Sequence, residues 1–218
     1  MQLPKVLFVS CVVIFAASGF TFAQEQAKIV VSLNPLNAEQ LAVYRAVLAE
    51  WMDKDMSSIN LADRTVPLDS NDPIYENDRS CAKGLVLEPA SPTLVHQFQQ
   101  SDLSQLSTRT IRLVDTKRGE KDVKENDPET SIKKGNSIED AVRNGFSHGL
   151  FTLSEIQFDK QHKYAIVSYG FVCGGLCGNG GTVVLKKTDS GWHESKRCSD
   201  WISRLTPESF KSAFWATV

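Results

Sequence analysis

Two cysteines and five glycines fall within the nine residues Cys173-Gly174-Gly175-Leu176-Cys177-Gly178-Asn179-Gly180-Gly181. Three kinds of chemistry suit such a group. A disulfide between Cys173 and Cys177 would clamp a tight turn, with glycine supplying backbone angles that other residues resist. Backbone N–H groups of a glycine-rich turn can converge on an anion or a carboxylate, which makes Gly174, Gly175, Gly178, Asn179, Gly180 and Gly181 a candidate binding loop. Thiol–disulfide cycling is the third. Its usual C-x-x-C spacing at a helix N-terminus is replaced here by C-x-x-x-C between two strand-like runs. The GxxxxGK[ST] pattern of a phosphate loop is absent. The architectural use of the loop is the leading expectation.

The other reactive residue types are scattered. His148 stands near the end of a helical pattern and is the weak candidate for a general base, although a histidine in a last helical turn also complements the helix dipole. No motif sets a serine or cysteine nucleophile beside it. His96, His162 and His193 rank below it, and His148 and His162 are too far apart in sequence and pattern to suggest a zinc site. Glu155 and Asp159 could share a neighbourhood as paired acids of a hydrolase, a role that depends on their separation. The acidic stretch from Asp69 to Ser80 lacks the glycine and glutamate of a calcium loop, with Ile74 and Ser80 at those positions. The expectation is no metal and no cofactor.

Residues 1–23 read as a signal peptide. Lys5 precedes an apolar run from Val6 to Phe15, and Thr21-Phe22-Ala23 forms a small-residue cleavage site before Gln24. The run is too short to span a bilayer. Cleavage after Ala23 would remove Cys11, which sits inside the run, and leave Cys81, Cys173, Cys177 and Cys198. An even count in an oxidising compartment points to two disulfides. The preferred pairing is Cys173 to Cys177 and Cys81 to Cys198, and the long bridge would contribute about 4–5 kcal/mol through loop closure. Losing Lys5 moves the formal charge from −2 to −3. Charges of both signs are mixed along the chain, so no nucleic-acid partner is implied.

Around these residues the pattern predicts a single α+β domain over 24–218. Asn37 and Gln40 make a capping box ahead of Leu41, Tyr44, Val47, Leu48 and Trp51 at helical spacing. Strands are expected near Ile59–Leu68 and over Thr110–Val114, with a helical turn at Ser101–Ser104. The charged run Thr116–Gly135 reads as an exposed excursion. A second helix starts at Ser137, with Ile138, Ala141, Val142 and Phe146 as its apolar face and Gly149 as its end. From about 150 to 203 the pattern becomes an antiparallel β-meander, Phe151–Phe158, Tyr164–Val172, Thr182–Lys187 and Trp192–Ile202, with helices packed on one face of the sheet. A helix opening at Thr206-Pro207 would dock through Phe210, Phe214 and Trp215.

The last sixty or so residues resemble a family of uncharacterised secreted bacterial proteins. The resemblance rests on the strand Tyr164–Val172, the Cys-Gly-x-Leu-Cys-Gly-x-Gly turn from Cys173 to Gly180, the strand Thr182–Lys187, the Gly191-Trp192 turn and the segment Trp201-Ile202-Ser203. It implies secretion and a meander, and brings no activity with it. The sequence therefore points to a secreted or periplasmic, disulfide-stabilised, non-catalytic binding or envelope-associated domain for a small ligand or an envelope protein. The alternative is an enzyme, a hydrolase or a thiol–disulfide catalyst at Cys173 and Cys177.

Overall fold

The computed structural model describes residues 30–32, 35–52, 58–67 and 82–203. The signal segment, Cys11, Cys81, the acidic stretch after Asp69 and the expected helix after Thr206 lie outside them. In chain order the elements are β1 (Val30–Ser32), α1 (Ala38–Trp51), β2 (Ser58–Ala62), β3 (Leu94–His96), a turn of 3-10 helix at Gln100–Asp102 running into α2 (Leu103–Leu106), β4 (Thr110–Val114), α3 (Thr116–Glu125), α4 (Pro128–Lys133), α5 (Ile138–His148), β5 (Leu150–Leu153), β6 (Gln157–Phe158), β7 (Tyr164–Gly174), β8 (Cys177–Thr188) and β9 (Gly191–Ile202).

The local signals act as expected where they are strongest. Asn37 Oδ1 accepts from the Glu39 and Gln40 amides at 2.9 Å, and the Gln40 side chain accepts from the Asn37 amide in return. Two donors left over at the start of α1 are thereby satisfied. Ser137 caps α5 in the same manner, accepting from the Asp140 amide.

Both α and β elements form, but the sheet is mixed rather than a pure meander. Its order is β4-β2-β5-β7-β8-β9, with β6 also on β7. From β5 onward neighbours are antiparallel, whereas β2 runs parallel to both β4 and β5. A parallel neighbour needs a crossover. The chain supplies one through β3 and α2, and a second through α3, α4 and α5. That second crossover corrects the reading of Thr116–Gly135. Its charges sit on helices, where Asp115 caps α3 through the Arg118 amide and Pro128 occupies the first turn of α4 behind Asp127.

Helices also cover both faces instead of one. On one face Tyr44 and Leu48 of α1 join Leu61, Phe151, Leu153, Val167, Phe171, Val183 and Leu185 in the main core. The alternate strand positions, Ala62 and Leu150, pack with Val123 of α3. Because successive strand side chains point to opposite faces, α1 and α3 must lie on opposite sides.

Candidate functional site

The cysteine hairpin forms as a bridged tip. Cys173 and Cys177 are disulfide-bonded with Cα atoms 5.0 Å apart, and Gly174 takes a φ of 144°, which its lack of a Cβ permits. Cys198 is disulfide-bonded as well; its expected partner Cys81 lies outside the described residues. The binding-loop candidates divide. Gly175 lies in the turn, while Gly178, Asn179, Gly180 and Gly181 are ladder residues of β8.

The carboxylate that meets the turn is the protein's own. Asp127 Oδ1 accepts from the Gly175 amide at 2.8 Å, and its Oδ2 from the Thr130 amide and hydroxyl. Burial alone would raise the Asp127 pKa, but these hydrogen bonds outweigh it and hold the carboxyl below its usual range. The tip is thus fastened to the start of α4.

His148, the sequence-based candidate for a base, ends α5 and makes no hydrogen bond to a carboxylate or hydroxyl among the described residues. His96 holds the position that sequence spacing gave to no histidine. Its Nδ1 lies 2.8 Å from Glu155 Oε2 and 3.0 Å from Oε1. The same carboxylate accepts from the His96 amide at 2.8 Å and from the Thr65 hydroxyl. Thr65, His96 and Glu155 are 3%, 9% and 7% exposed.

Three segments meet at this carboxylate because β5 breaks off at Leu153. Ser154 still pairs with Ser168 through backbone and hydroxyl, Tyr44 donates to its carbonyl at 2.9 Å, and the Glu155 amide turns to Val66. The Glu155 side chain is thereby aimed at β3. Asp159, its proposed partner in an acid pair, instead accepts the amides of Gln161, Lys163 and Tyr164 and shapes the turn before β7.

A cavity lies elsewhere, between α1 and the outer strands. It has a volume of about 270 Å³. Ala46, Val47, Glu50 and Trp51 of α1 form one wall, Phe146 of α5 closes an end, and Tyr169, Asn179, Val183, Leu185, Glu194 and Arg197 form the sheet side. Trp51 is held by Phe151 and Phe171, with ring centroids at 4.6 and 4.9 Å. Its indole N–H points to Asn179 Oδ1 at 3.4 Å.

Polar groups at the rim are pre-arranged. Glu194 takes two hydrogen bonds from Arg197, at 3.1 and 2.7 Å, and Arg197 Nη1 donates to the Tyr169 hydroxyl at 3.1 Å. Burial pushes the Tyr169 hydroxyl above its usual pKa, so it stays neutral. Glu50 has no hydrogen bond or ion pair among the described residues. Of the predicted site residues, only Asn179 reaches this cleft.

A further cluster ties α1 to the turn before β7. His162 Nδ1 lies 3.0 Å from Glu39 and Nε2 3.2 Å from Glu88, its ring stacks on Phe158, and Lys187 also binds Glu39. The hydrogen bond to Glu39 leads the effects that raise the His162 pKa above its ordinary 6.5. A raised folded-state pKa contributes stability that is complete below the unfolded value and is lost as pH rises through the folded one. With the side chain 43% exposed the effect is small. The melting temperature is expected to fall slightly as pH rises from the ordinary 6.5 through the raised folded-state value. His162→Asn should flatten that fall, since asparagine tolerates the φ of 52° at this position. An unchanged slope in the variant would show that His162 does not carry the effect.

Among the described residues no helix is long and apolar enough to cross a membrane, and no three His, Cys, Asp or Glu side chains converge as a metal site. No protein-family model, curated protein or solved structure matches this chain.

Proposed function

We propose that this is a secreted or periplasmic binding domain, non-catalytic or envelope-associated, that takes an apolar ligand with a neutral or cationic polar end in the cleft between α1 and the outer strands. The cleft carries the reading. Its aromatic and aliphatic walls, with a few fixed polar groups at the rim, are what a small-ligand site requires. Glu50 and Glu194 against Arg197 leave a formal charge of −1 on the lining, which disfavours an anion. The disulfides and the residues 1–23 pattern support the compartment, as does the resemblance to secreted bacterial proteins.

The test uses two dyes of similar shape. Neutral phenylnaphthylamine should bind saturably and brighten, and anionic anilinonaphthalene sulfonate should bind more weakly. Ala46→Phe, which fills the cleft, should weaken phenylnaphthylamine at least about tenfold, while Glu50→Lys should raise the affinity for the sulfonate. Saturable binding that ignores Ala46→Phe in folded protein would reject the cleft.

The second reading is a hydrolase, and the His96–Glu155 pair favours it. A carboxylate on Nδ1 leaves Nε2 of a neutral imidazole as an acceptor, and no group bonds to His96 Nε2 among the described residues. Turnover of a generic ester, phosphate, glycan or peptide substrate that is abolished by Glu155→Gln in folded protein would replace the binding reading with this one.

A further inference from the structure

The cleft between α1 and the outer strands stays open at the end where β9 finishes. Ile202, the last residue of β9, pairs directly with Asn179 of the cleft wall. Opposite residues of an antiparallel pair share a face, so Ile202 stands on the cleft side of the sheet, where it is 70% exposed. Phe146, which packs on Phe171 at the same end, is 47% exposed. The chain leaves the sheet at this point. The Ser203 amide and hydroxyl both donate to the Gly178 carbonyl, at 3.0 and 3.2 Å, and so fix where residues 204–218 begin. Those residues lie outside the described ones and carry Phe210, Phe214 and Trp215.

We propose that residues 204–218 of this chain occupy the cleft in the free protein, and that a ligand enters by displacing them. The lengths agree. Along β8 the cleft runs from Asn179 to Leu185, about 20 Å of strand, and a helix from Pro207 to Val218 is about 18 Å long. Thr206-Pro207 suits the start of such a helix, which would turn back from β9 along the cleft. Phe210 and Phe214, four apart, then form one row against the aromatic wall of Trp51 and Tyr169. The charges agree as well. Arg204 and Lys211 against Glu208 leave +1 on the segment, whereas Glu50 and Glu194 against Arg197 leave −1 on the lining.

A tethered segment meets its site at an effective concentration in the millimolar range, so modest contacts keep it docked. A free ligand binds only the open fraction, and its apparent affinity falls by that fraction. The competition rests on the ligand reading above; the docking does not.

Hydrogen exchange tests the docking without a ligand. In the signal-free chain the amides of residues 208–218 should exchange at least about tenfold more slowly than in a synthetic peptide of the same segment. Ala46→Phe, which fills the cleft, and Glu50→Lys, which reverses the charge at its exposed rim, should each bring them towards the peptide's rate while β7 and β8 stay protected. Phenylnaphthylamine tests the competition: Phe210→Ser combined with Phe214→Ser should tighten its binding at least about tenfold. Exchange at the peptide's rate in the wild type, or protection that both cleft variants leave intact, overturns the proposal. Dye binding that the double substitution leaves unchanged does the same. Dye binding absent from both the wild type and the double variant rejects the ligand reading instead, and the exchange result then decides the docking by itself.

Discussion

Glu155→Ala is expected to lower the unfolding free energy by about 3–5 kcal/mol, because it removes the shared acceptor of three buried donors. The Glu155 carboxylate accepts from the Thr65 hydroxyl, the His96 amide and the His96 ring. Alanine would leave the His96 ring without its acceptor, and the His96 amide and Thr65 hydroxyl with only each other and the His96 carbonyl, in a place where water has little access. The damage would spread, because the same residue fixes β3 and the 64–66 segment against the break between β5 and β6. Glu155→Gln retains one acceptor oxygen but brings an N–H₂ group towards the His96 ring, so it should cost less, about 1–3 kcal/mol. Urea unfolding of the wild type and both variants tests this. A loss below about 1 kcal/mol for Glu155→Ala would mean that water already solvates the pair.

That pair also shows what sequence reasoning could not reach. His96 and Glu155 come from separate elements, and no local spacing joins them. The one available hint was the polar Ser154-Glu155 interruption of an otherwise apolar strand, which marks the break that turns Glu155 aside. Local grammar, by contrast, was legible: the Asn37 capping box, the Ser137 cap and the bridged hairpin all form.

Residues 116–135 misled because their charges outnumber the inward-facing positions. Gly119, Val123 and Pro128 are the buried residues of α3 and α4, too few to give a visible apolar period. The parallel pairing of β2 was hidden for a different reason, since strand direction depends on crossovers rather than on alternation. In α5 the apolar spacing was read correctly but not its orientation. Small Ala141 and Gly145 approach the core, Phe146 reaches the cleft beside Phe171, and Ile138 and Val142 turn outward. The cleft joins α1 to Glu194 and Arg197 across more than a hundred residues, and Asn179 alone connects it to the loop that the sequence singled out.

Phe171→Ala should be the other severe substitution, costing about 3–5 kcal/mol as a large-to-small change in a packed core. Phe171 is 3% exposed and links three elements: its ring lies 4.9 Å from that of Trp51 on α1 and 5.4 Å from that of Phe146 on α5. Both neighbours wall the cleft, so dye affinity should fall together with stability. The ring also explains Gly149. This residue ends α5 with an ordinary φ of −59°, so no left-handed turn demands glycine; a Cβ there would instead strike the Phe171 ring edge. Gly149→Ala alone should therefore destabilise by about 1–3 kcal/mol through overpacking. In the Phe171→Ala background the added methyl enters vacated space, and its cost should largely disappear. A double-mutant cycle in urea measures this coupling. Additive effects would show that the glycine is needed for some reason other than room for the ring, and would break the proposed link between the end of α5 and the wall of the cleft.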